Sequence, residues 1–390
     1  MKNTPKMITA RRSVLLAGAA VGSFAMLGGC GSTKPVKPPS PQPTAGKSIG
    51  RIAWSASAGS MRVTNKVLPI NFAPVFSAGS IWFAATDGSV GKLDAVNGAV
   101  VWRINVGKSL VAGIGTDGET AVVGAKDGSL IAVDANGKTK WTSQSTSEAV
   151  SVPAVGSGIA VVRFSDNRVY GFDSETGKRR WQVQRQSPAL VLRQTNSSAI
   201  DAGSVYTGLP GGRLMAISLK TGAVRWEGAV SLPKGANEIE RIADVVGTPL
   251  LSGKELCAVS YQGKLTCFDA ASGRALWARD VASQSGLEID NRIVSVVDEG
   301  GIVQAFSRSG TTLWKQSALA KRTLTAPISV DGYLMVGDED GFIYILSRDS
   351  GEIVGRVLTD GSALLPMPCA ADKLAVFQTS RGGIFAVTLG

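Results

Sequence analysis

The sequence predicts an all-β protein that folds into an eight-bladed β-propeller. Three observations predict this fold: a phrase that closes on Trp recurs along the chain, a tight hairpin turn precedes most copies, and the two chain ends complement each other. Successive copies of the phrase are separated by 37 to 51 residues. Periods of this size are typical of repeat architectures, and short strands joined by turns are typical of propeller blades.

The repeated phrase begins with Asp, has Gly four residues later and ends in Trp, as in Asp173–Trp181. Seven copies, some shortened or altered, end at Trp54, Trp102, Trp141, Trp181, Trp226, Trp277 and Trp314. An eighth copy starts at Asp349 but has Gly355 in place of the Trp. Because a large ring occupies one fixed place in each repeat, we predict that it packs between neighbouring blades and binds no ligand.

A second turn recurs inside each repeat, between two short apolar runs. It is found at Asp87–Gly88, Asp127–Gly128, Asp166–Asn167, Gly211–Gly212, Gln262–Gly263, Gly300–Gly301, Asp340–Gly341 and Gly382–Gly383. Asp-Gly and related pairs tolerate the positive φ that tight hairpins need, so these positions predict β-hairpins. After residue 50 no run of ten or more residues has a convincing 3.6-residue apolar period, which leaves no predicted helix there.

The two ends of the chain predict a closed ring. The last residues, 383–390, read as the inner part of a repeat that lacks its Trp-bearing strand, and Ile52–Trp54 near the start supplies such a strand. A solenoid would instead need distinct polar caps at both ends. Pairing the two ends removes the last open sheet edges, which otherwise favour aggregation.

The first 29 residues predict an export signal that ends at a lipidation site. They carry four positive charges and no acid, and an apolar run from Val14 to Met26 follows the charges. Small residues before Cys30 resemble the bacterial lipobox, in which the Cys receives the lipid and becomes the first residue of the mature protein. Gly31 follows, and the absence of Asp at that place favours the periplasmic face of the outer membrane. The alternative is an ordinary signal peptide with an incidental Cys.

Three segments follow from this organisation: a signal peptide over 1–29, a lipidated tether over 30–48 and the propeller over 49–390. The tether is rich in Pro, Lys and Ser, a composition that stays extended and solvated. Without the signal, 37 Lys and Arg face 30 Asp and Glu, so the net charge falls from +11 to +7. This bias is mild, and no basic cluster with interleaved aromatic residues is present, so we expect no nucleic-acid binding.

The chain lacks the residues that most enzymes and metal sites use. It contains no His, the commonest general base and metal ligand. Residues Asp338–Gly341 resemble the start of a calcium loop, but no bidentate acid follows, and sister repeats have a hairpin turn at this place. We therefore predict a plain turn at Asp338, no catalytic residue, and no cofactor apart from the lipid on Cys30.

Two of the four Cys residues, Cys257 and Cys267, flank one of the predicted hairpins. The antiparallel register about that turn is able to bring them together, and an oxidising periplasm permits a disulfide. The alternative is a pair of buried free thiols in neighbouring strands, because a disulfide also requires suitable geometry.

The Asp-x-x-x-Gly-x-x-x-Trp repeat resembles the quinoprotein-like propeller repeats of bacterial alcohol dehydrogenases. That resemblance implies the fold. The enzymes also use a calcium site, a catalytic Asp and, in many members, a disulfide between adjacent Cys residues. This chain has no adjacent Cys pair and is far shorter, so the resemblance does not carry the chemistry.

Over nearly its whole length the chain resembles the BamB family of lipoproteins, subunits of the outer-membrane β-barrel assembly machinery. Two segments that interrupt the repeats are similar to the family's partner-binding elements. The first contains Leu190, Leu192 and Arg193, and the second contains Glu238, Glu240, Arg241 and Asp244. The resemblance implies that these residues bind a periplasmic POTRA domain of the barrel-forming subunit BamA. The chain departs from the family at Val246, where a second Asp is frequent, and this puts the importance of Asp244 alone in doubt.

The residues themselves leave alternatives open. Leu190 and Leu192 would point the same way in an extended segment beside Arg193, as an interface anchor does, but they also suit strand core with Arg193 on a solvated edge. Glu238, Glu240 and Asp244 also suit a solvated acidic loop. Long insertions in repeat proteins do lie on one face, which is often the binding face.

Together these features predict a non-enzymatic, lipid-anchored scaffold of the outer membrane. We expect it to bind BamA and other assembly-machinery subunits, and to assist the folding and insertion of unfolded outer-membrane β-barrel proteins. Two alternatives remain: a quinoprotein-like enzyme or its vestige, and a periplasmic propeller that binds a sugar or peptide in its channel.

Overall fold

The fold is described from a computed structural model. It describes residues 39–43, 49–61, 72–186, 188–192 and 197–389. The predicted signal peptide, Cys30 and Arg193 lie outside these residues. The described residues form 32 strands and no helix, so the predicted all-β class is confirmed. No helix able to cross a membrane is found in this part of the chain.

The strands form eight four-stranded antiparallel sheets within the described residues, one for each predicted repeat. Each sheet is a blade, and in seven of them the strands follow one another in sequence from the centre outwards. Blade 1 consists of β2 (Val75–Ser77), β3 (Ser80–Ala84), β4 (Ser89–Asp94) and β5 (Val100–Asn105), and blade 2 consists of β6 (Leu110–Thr116), β7 (Thr120–Ala125), β8 (Ser129–Asp134) and β9 (Thr139–Gln144). Blade 3 consists of β10 (Ala154–Gly156), β11 (Ile159–Arg163), β12 (Arg168–Asp173) and β13 (Arg179–Gln184). Blade 4 consists of β14 (Ser198–Asp201), β15 (Ser204–Leu209), β16 (Arg213–Ser218) and β17 (Val224–Ala229).

The second half of the ring repeats this plan, and its last blade borrows a strand from the start of the chain. Blade 5 consists of β18 (Val245–Ser252), β19 (Glu255–Ser260), β20 (Leu265–Asp269) and β21 (Ala275–Arg279), and blade 6 consists of β22 (Leu287–Ile289), β23 (Ile293–Val297), β24 (Val303–Ser307) and β25 (Thr312–Gln316). Blade 7 consists of β26 (Ile328–Val330), β27 (Tyr333–Gly337), β28 (Phe342–Ser347) and β29 (Ile353–Leu358). Blade 8 consists of β30 (Cys369–Ala371), β31 (Leu374–Gln378), β32 (Gly383–Thr388) and β1 (Arg51–Ser57).

The eight blades close into a ring, as the sequence predicts. In blade 8 the order is β30-β31-β32-β1, and β1 pairs antiparallel with β32 from Arg51 opposite Thr388 to Ser57 opposite Gly383. The first strands of neighbouring blades contact each other all the way round, including β2 with β30 across the junction of the chain ends. These first strands therefore surround a central channel, and the apolar core lies between the blades.

The seven Trp residues of the repeated phrase join each blade to the next one, so the prediction that they pack between blades is confirmed. Every indole N–H donates to a backbone carbonyl in the following blade, at nitrogen-to-oxygen distances of 2.6 to 3.0 Å. Trp54, from the strand that closes the ring, reaches Ala95 of blade 1 in this way. Satisfying the one polar atom of the indole allows its large ring to be buried.

The Asp and Gly of the repeated phrase build the turn that receives the Trp. In blade 3 the Asp173 Oδ1 accepts hydrogen bonds from the backbone amides of Glu175 and Thr176, which fixes the turn. Gly177 has a φ of +69°, a conformation that favours glycine. A Cβ on Gly177 would lie 2.6 Å from the Trp141 ring, so the preceding blade also requires glycine here.

The eighth interface, between blades 7 and 8, has no Trp of the repeated phrase because the backbone of the chain occupies that place. A Cβ on Gly355 would lie 2.1 Å from the carbonyl oxygen of Ile49. The amide of Ile49 donates to the Val354 carbonyl at 3.2 Å, and the Ile49 side chain packs on the core between blades 7 and 8. The segment that leads into β1 therefore replaces the missing ring.

We predict that Gly355→Ala lowers the free energy of unfolding by about 1–3 kcal/mol, because the added methyl group overpacks the contact with Ile49. Urea unfolding followed by Trp fluorescence measures the change. Gly300→Ala is the control, since the nearest atom to a Cβ there is the Asp298 Oδ1 at 3.3 Å in an exposed turn. Equal stability of the two variants would contradict the role assigned to Gly355.

Candidate partner-binding surface

The two segments singled out by the sequence lie on one face of the ring. The first links β13 to β14 and the second links β17 to β18, so both connect the outer strand of one blade to the inner strand of the next. In a propeller these connections share a face with the hairpins between the second and third strands. Hydrogen bonds to the Asp244 carboxylate join the two segments to one another and to the hairpin at Gly211.

Asp244 holds this surface together from inside. Its carboxylate is buried, with one oxygen accepting the amide of Leu192 at 2.7 Å and the other accepting the amide of Gly211 at 2.9 Å. One side chain thus ties the second segment to the first segment and to the hairpin of blade 4. Asp244 therefore lies beneath the surface, whereas the family resemblance places it among the partner-contacting residues.

A buried arginine supports the same carboxylate. Arg163, at the end of β11, is 6% exposed, and its charge favours the ionised form of Asp244. Burial raises the pKa of Asp244, while the amides of Gly211 and Leu192 and the charge of Arg163 oppose that rise. Burial also lowers the pKa of Arg163 to about 10. Arg163 was not among the predicted site residues, although a charged residue between apolar Val162 and Phe164 is a signal that it needs an internal partner.

The first segment presents apolar side chains to solvent. Leu190 is 44% exposed and Val191 is 42% exposed, whereas Leu192 is partly buried above Asp244. In the second segment Leu232 and Ile239 are more exposed still, at 62% and 66%. Neighbouring exposed apolar residues on joined segments are typical of an interface. Leu190 is not part of a strand core, because it is exposed and lies outside every strand of the described residues.

The charged residues of the second segment have different roles. The Glu240 carboxylate accepts the amide of Ala236 at 2.7 Å and the side-chain amide of Asn237 at 3.0 Å, so it shapes its own loop. Arg241 donates to the Gly235 carbonyl and lies 3.6 Å from the Glu238 carboxylate, and both side chains are exposed. Val246, where the family has a second Asp, is buried in the core between blades 5 and 6.

A cleft of about 390 Å³ adjoins the first segment, and the sequence did not predict it. It is lined by Asn167, Arg185, Gln186, Leu209, Pro210, Arg213 and Glu227. Glu227 bridges two arginines, with Arg185 Nε at 3.0 Å and Arg213 Nε at 2.9 Å from its carboxylate oxygens. Partial burial would raise the pKa of Glu227, but these two arginines lower it below its usual value. The three side chains form a charged cluster in this cleft.

Cys257 and Cys267 lie directly opposite each other in β19 and β20, and the structure has them bonded as a disulfide, with Cα atoms 4.0 Å apart. The carboxylate of Glu255 lies near both sulfurs. It bonds the Trp277 indole at 2.9 Å and the Arg308 guanidinium at 2.6 Å. The two sulfurs are therefore bonded to each other, and the Glu255 carboxylate is held by Trp277 and Arg308. These contacts account for the cluster as part of the blade structure.

The acidic turn at Asp338 is held by an arginine. Asp338 is buried and its carboxylate lies 2.7 Å from Arg322 Nη1, which also lies 3.3 Å from the Asp340 carboxylate. Asp338 Oδ1 accepts the amides of Asp340 and Phe342, as in an ordinary Asx-type turn. A guanidinium fills the place in front of these oxygens, in keeping with the predicted plain turn.

An unusual carboxylate, that of Glu288, belongs to the inner strand β22 beside the central channel. Burial raises the pKa of Glu288 to about 8, against the hydrogen bond that the Ser329 amide donates to it. Ser329 belongs to the inner strand of the next blade. A carboxyl group that binds a proton this readily contributes little fixed charge at neutral pH.

Known proteins agree with this architecture. The family model of the outer membrane protein assembly factor BamB matches residues 86–309 and 299–389. The BamB of Bordetella pertussis is 42% identical over 339 residues, which cover 86% of this chain and 86% of that protein. The chain belongs to the BamB family of outer membrane protein assembly factors. The crystal structure of BamB from Moraxella catarrhalis has a TM-score of 0.76 at 29% identity, over 86% of this chain and 99% of that one.

The likeness to quinoproteins concerns the fold alone. The quinohemoprotein alcohol dehydrogenase from Comamonas testosteroni has a TM-score of 0.65 at 13% identity, over 87% of this chain and 76% of that enzyme. The BamB relatives are named as assembly factors, and the enzyme is a more distant neighbour. The resemblance to the BamB family that the sequence indicated is therefore confirmed.

We predict that Glu288→Gln becomes more stable than wild type as the pH rises. The folded-state pKa of about 8 lies above the unfolded value of 4.5, so the stabilising contribution of protonated Glu288 is fully present below pH 4.5 and is lost as the pH rises through 8. The advantage of Gln should grow by at most about 1.4 kcal/mol per pH unit in this window. Urea unfolding at pH 5, 7 and 9 measures it, and parallel profiles of the two proteins would contradict the assignment.

Proposed function

We propose that this protein is a non-enzymatic scaffold that docks on a POTRA domain of BamA and assists the assembly of outer-membrane β-barrel proteins. The observation that carries the proposal is the exposed apolar surface of Leu190, Val191 and Ile239 on two segments that Asp244 locks together. Both segments resemble the family's partner-binding elements. The family assignment supports the assembly role, and this surface supports the mode of docking.

The composition of the surface suits a protein interface. An apolar centre is most effective when polar groups surround it and exclude water. Here Glu238 and Arg241 border the second segment, and the pair of arginines on Glu227 borders the first. Charged side chains at such a rim steer association and select the partner. Arg193 continues the first segment in sequence, so we propose it as the directional contact to an acidic group on BamA.

Asp244 acts on binding indirectly in this proposal. Its carboxylate already accepts two backbone amides and is 4% exposed, so it positions Leu192 and the residues around it. A surface held in its binding conformation before the partner arrives loses less entropy on association. The absence of a second Asp at Val246 should then have little effect on binding, because Asp244 alone accepts the amides that hold the first segment.

The scaffold role agrees with the chemistry of the chain. The sequence contains no His, and the acids of the Asp338 turn are engaged by Arg322. The carboxylate of Glu255 is engaged by Arg308 and Trp277. A lipid on Cys30 would raise the local concentration of the propeller at the membrane, so that a modest interface stays occupied. Unfolded barrel proteins are then the clients of the assembled machinery.

We predict that Leu190→Asp and Arg193→Glu each weaken binding to the isolated POTRA domains of BamA by roughly 30-fold or more, since loss of a buried interface anchor costs about 2 kcal/mol or more. Isothermal titration measures the affinity. Leu358→Asp and Lys373→Glu are matched controls, because both lie on blades distant from the surface and are exposed. Wild-type affinity of both test variants, with unchanged circular dichroism, would remove the assigned site and leave the fold intact.

We predict that Cys30→Ser abolishes lipidation and releases the protein from the outer-membrane fraction, because no other thiol lies at the cleavage site. Mass spectrometry of the mature N-terminus and membrane fractionation measure the two effects. The propeller should stay folded, since Cys30 precedes every strand of the described residues. Normal outer-membrane fractionation of Cys30→Ser would show that the lipidation assignment is wrong.

A further inference from the structure

The segment that precedes the propeller is fastened to blade 7. We name residues 39–43 the strap. The Ser40 hydroxyl lies 2.6 Å from the Tyr344 hydroxyl, and Arg356 Nη1 lies 3.4 Å from the carbonyl oxygens of both Ser40 and Pro41. Tyr344 and Arg356 are paired neighbours in β28 and β29, so they present one combined binding place on the blade.

The groups that hold the strap are themselves fixed. The Tyr344 ring is fully buried, and its hydroxyl donates to the Asp338 carboxylate at 3.0 Å. Because the single hydroxyl proton is used there, the Tyr344 oxygen accepts from Ser40. Arg356 lies over the Phe342 ring, 4.7 Å from its centroid, which orients its guanidinium toward the strap. The binding place is therefore built by the blade core.

The strap and Ile49 lie on opposite sides of blade 7. Tyr344 packs in the core between blades 6 and 7, whereas Ile49 packs in the core between blades 7 and 8. Described residues of the N-terminal segment thus contact both faces of blade 7. At the outer edge of this blade the Ile49 amide bonds the Val354 carbonyl of β29. Covering an outer strand with a segment of the same chain also protects an open sheet edge.

The composition of the strap lowers the entropic cost of docking. Three of its five residues are proline, at Pro39, Pro41 and Pro43. Such a segment is already extended and stiff, so fewer conformations are lost when it binds. Proline also leaves fewer amide donors without partners. The strap offers two carbonyls and the Ser40 hydroxyl, and Arg356 and Tyr344 are the groups that meet them.

We propose that blade 7 is the membrane-facing rim of the propeller, held toward a lipid surface by the docked strap. The inference rests on the proposed lipid at Cys30. Nine residue steps separate Cys30 from Pro39, a reach of roughly 30 Å, whereas the nineteen steps to Ile49 would allow roughly 65 Å. Docking thus halves the distance over which the propeller can move away from the membrane.

This orientation also places the partner-binding surface. In a ring of eight, blade 3 lies opposite blade 7, and the surface spans the connections from blade 3 to blade 5. The short attachment therefore directs Leu190 and Ile239 away from the lipid and toward the periplasm. A partner domain that extends from the membrane into the periplasm meets the surface on that side.

Strap docking is tested first, without any membrane. The full chain carries a spin label at Gln42→Cys, an exposed strap position, with the unsubstituted chain as the reference for labelling at Cys30 and Cys369. Ser40→Ala combined with Arg356→Gln should shorten the rotational correlation time of the label at least twofold. Arg225→Gln on blade 4 is the control and should not change it. A mobile label in the wild-type chain would overturn the docking.

Orientation is tested on the lipidated protein in phospholipid vesicles with an acceptor dye on the headgroups. A fluorescent amino acid is placed at Leu358 on blade 7 or at Gln182 on blade 3, both exposed. Energy transfer should be at least twofold greater from position 358 than from position 182, and the strap variant should reduce this ratio. Equal transfer from both positions, or a ratio that the strap variant leaves unchanged, would overturn the orientation. Failure to attach through Cys30 would instead overturn the anchor and, with it, the inference.

Discussion

The contact between each Trp and the turn of the next blade is the interaction on which the structure depends. The indole ring covers the Gly of the turn, as Trp141 covers Gly177, and its N–H reaches the carbonyl of Ser174 at 2.8 Å. One residue thus supplies a large buried area and a satisfied hydrogen bond at seven of the eight interfaces. Since a single four-stranded sheet exposes two apolar faces, each blade is completed by its neighbour, through a Trp at seven interfaces and through the Ile49 backbone at the eighth.

Repetition of this contact leaves a problem at the point where the chain begins and ends. Strand β1 pairs with β32, which gives blade 8 its outer strand and lets Trp54 dock on blade 1. The chain must enter beside blade 7 to do so, and its backbone takes the place of the eighth ring at Gly355. The contact of Ile49 with β29 therefore has two effects: it leaves no room for a Trp at position 355, and it covers part of the outer edge of β29.

A closed ring provides a rigid support for segments that have little structure of their own. The described residues of the two insertions include exposed apolar side chains and lie outside the strands of the blades, so the insertions would not hold a shape in isolation. Asp244 converts them into one surface by accepting amides from Leu192 and Gly211. The desolvation of that carboxylate is offset only in part by these amides and by the charge of Arg163, and the two hydrogen bonds favour a preformed interface.

The sequence by itself determined the fold and the ring closure. The spacing of the Trp phrase, the Gly-containing hairpins and the unpaired last repeat each follow from local rules, because turn chemistry and strand alternation are encoded by neighbouring residues. The pairing of Ile52–Trp54 with the C-terminal strand followed from the same logic. The likeness of two insertions to a known family indicated where a partner surface lies.

Only the tertiary structure decided how those residues are used. The sequence could not distinguish buried Asp244 from exposed Glu238, because burial depends on the Leu192 and Gly211 backbone that folding brings from distant positions. The roles of Arg163, Glu227 and Glu288 were hidden for the same reason, since their partners are tens of residues away. The sequence also could not explain why Gly355 replaces the Trp. The explanation is that the backbone of Ile49 occupies the space of a side chain at position 355.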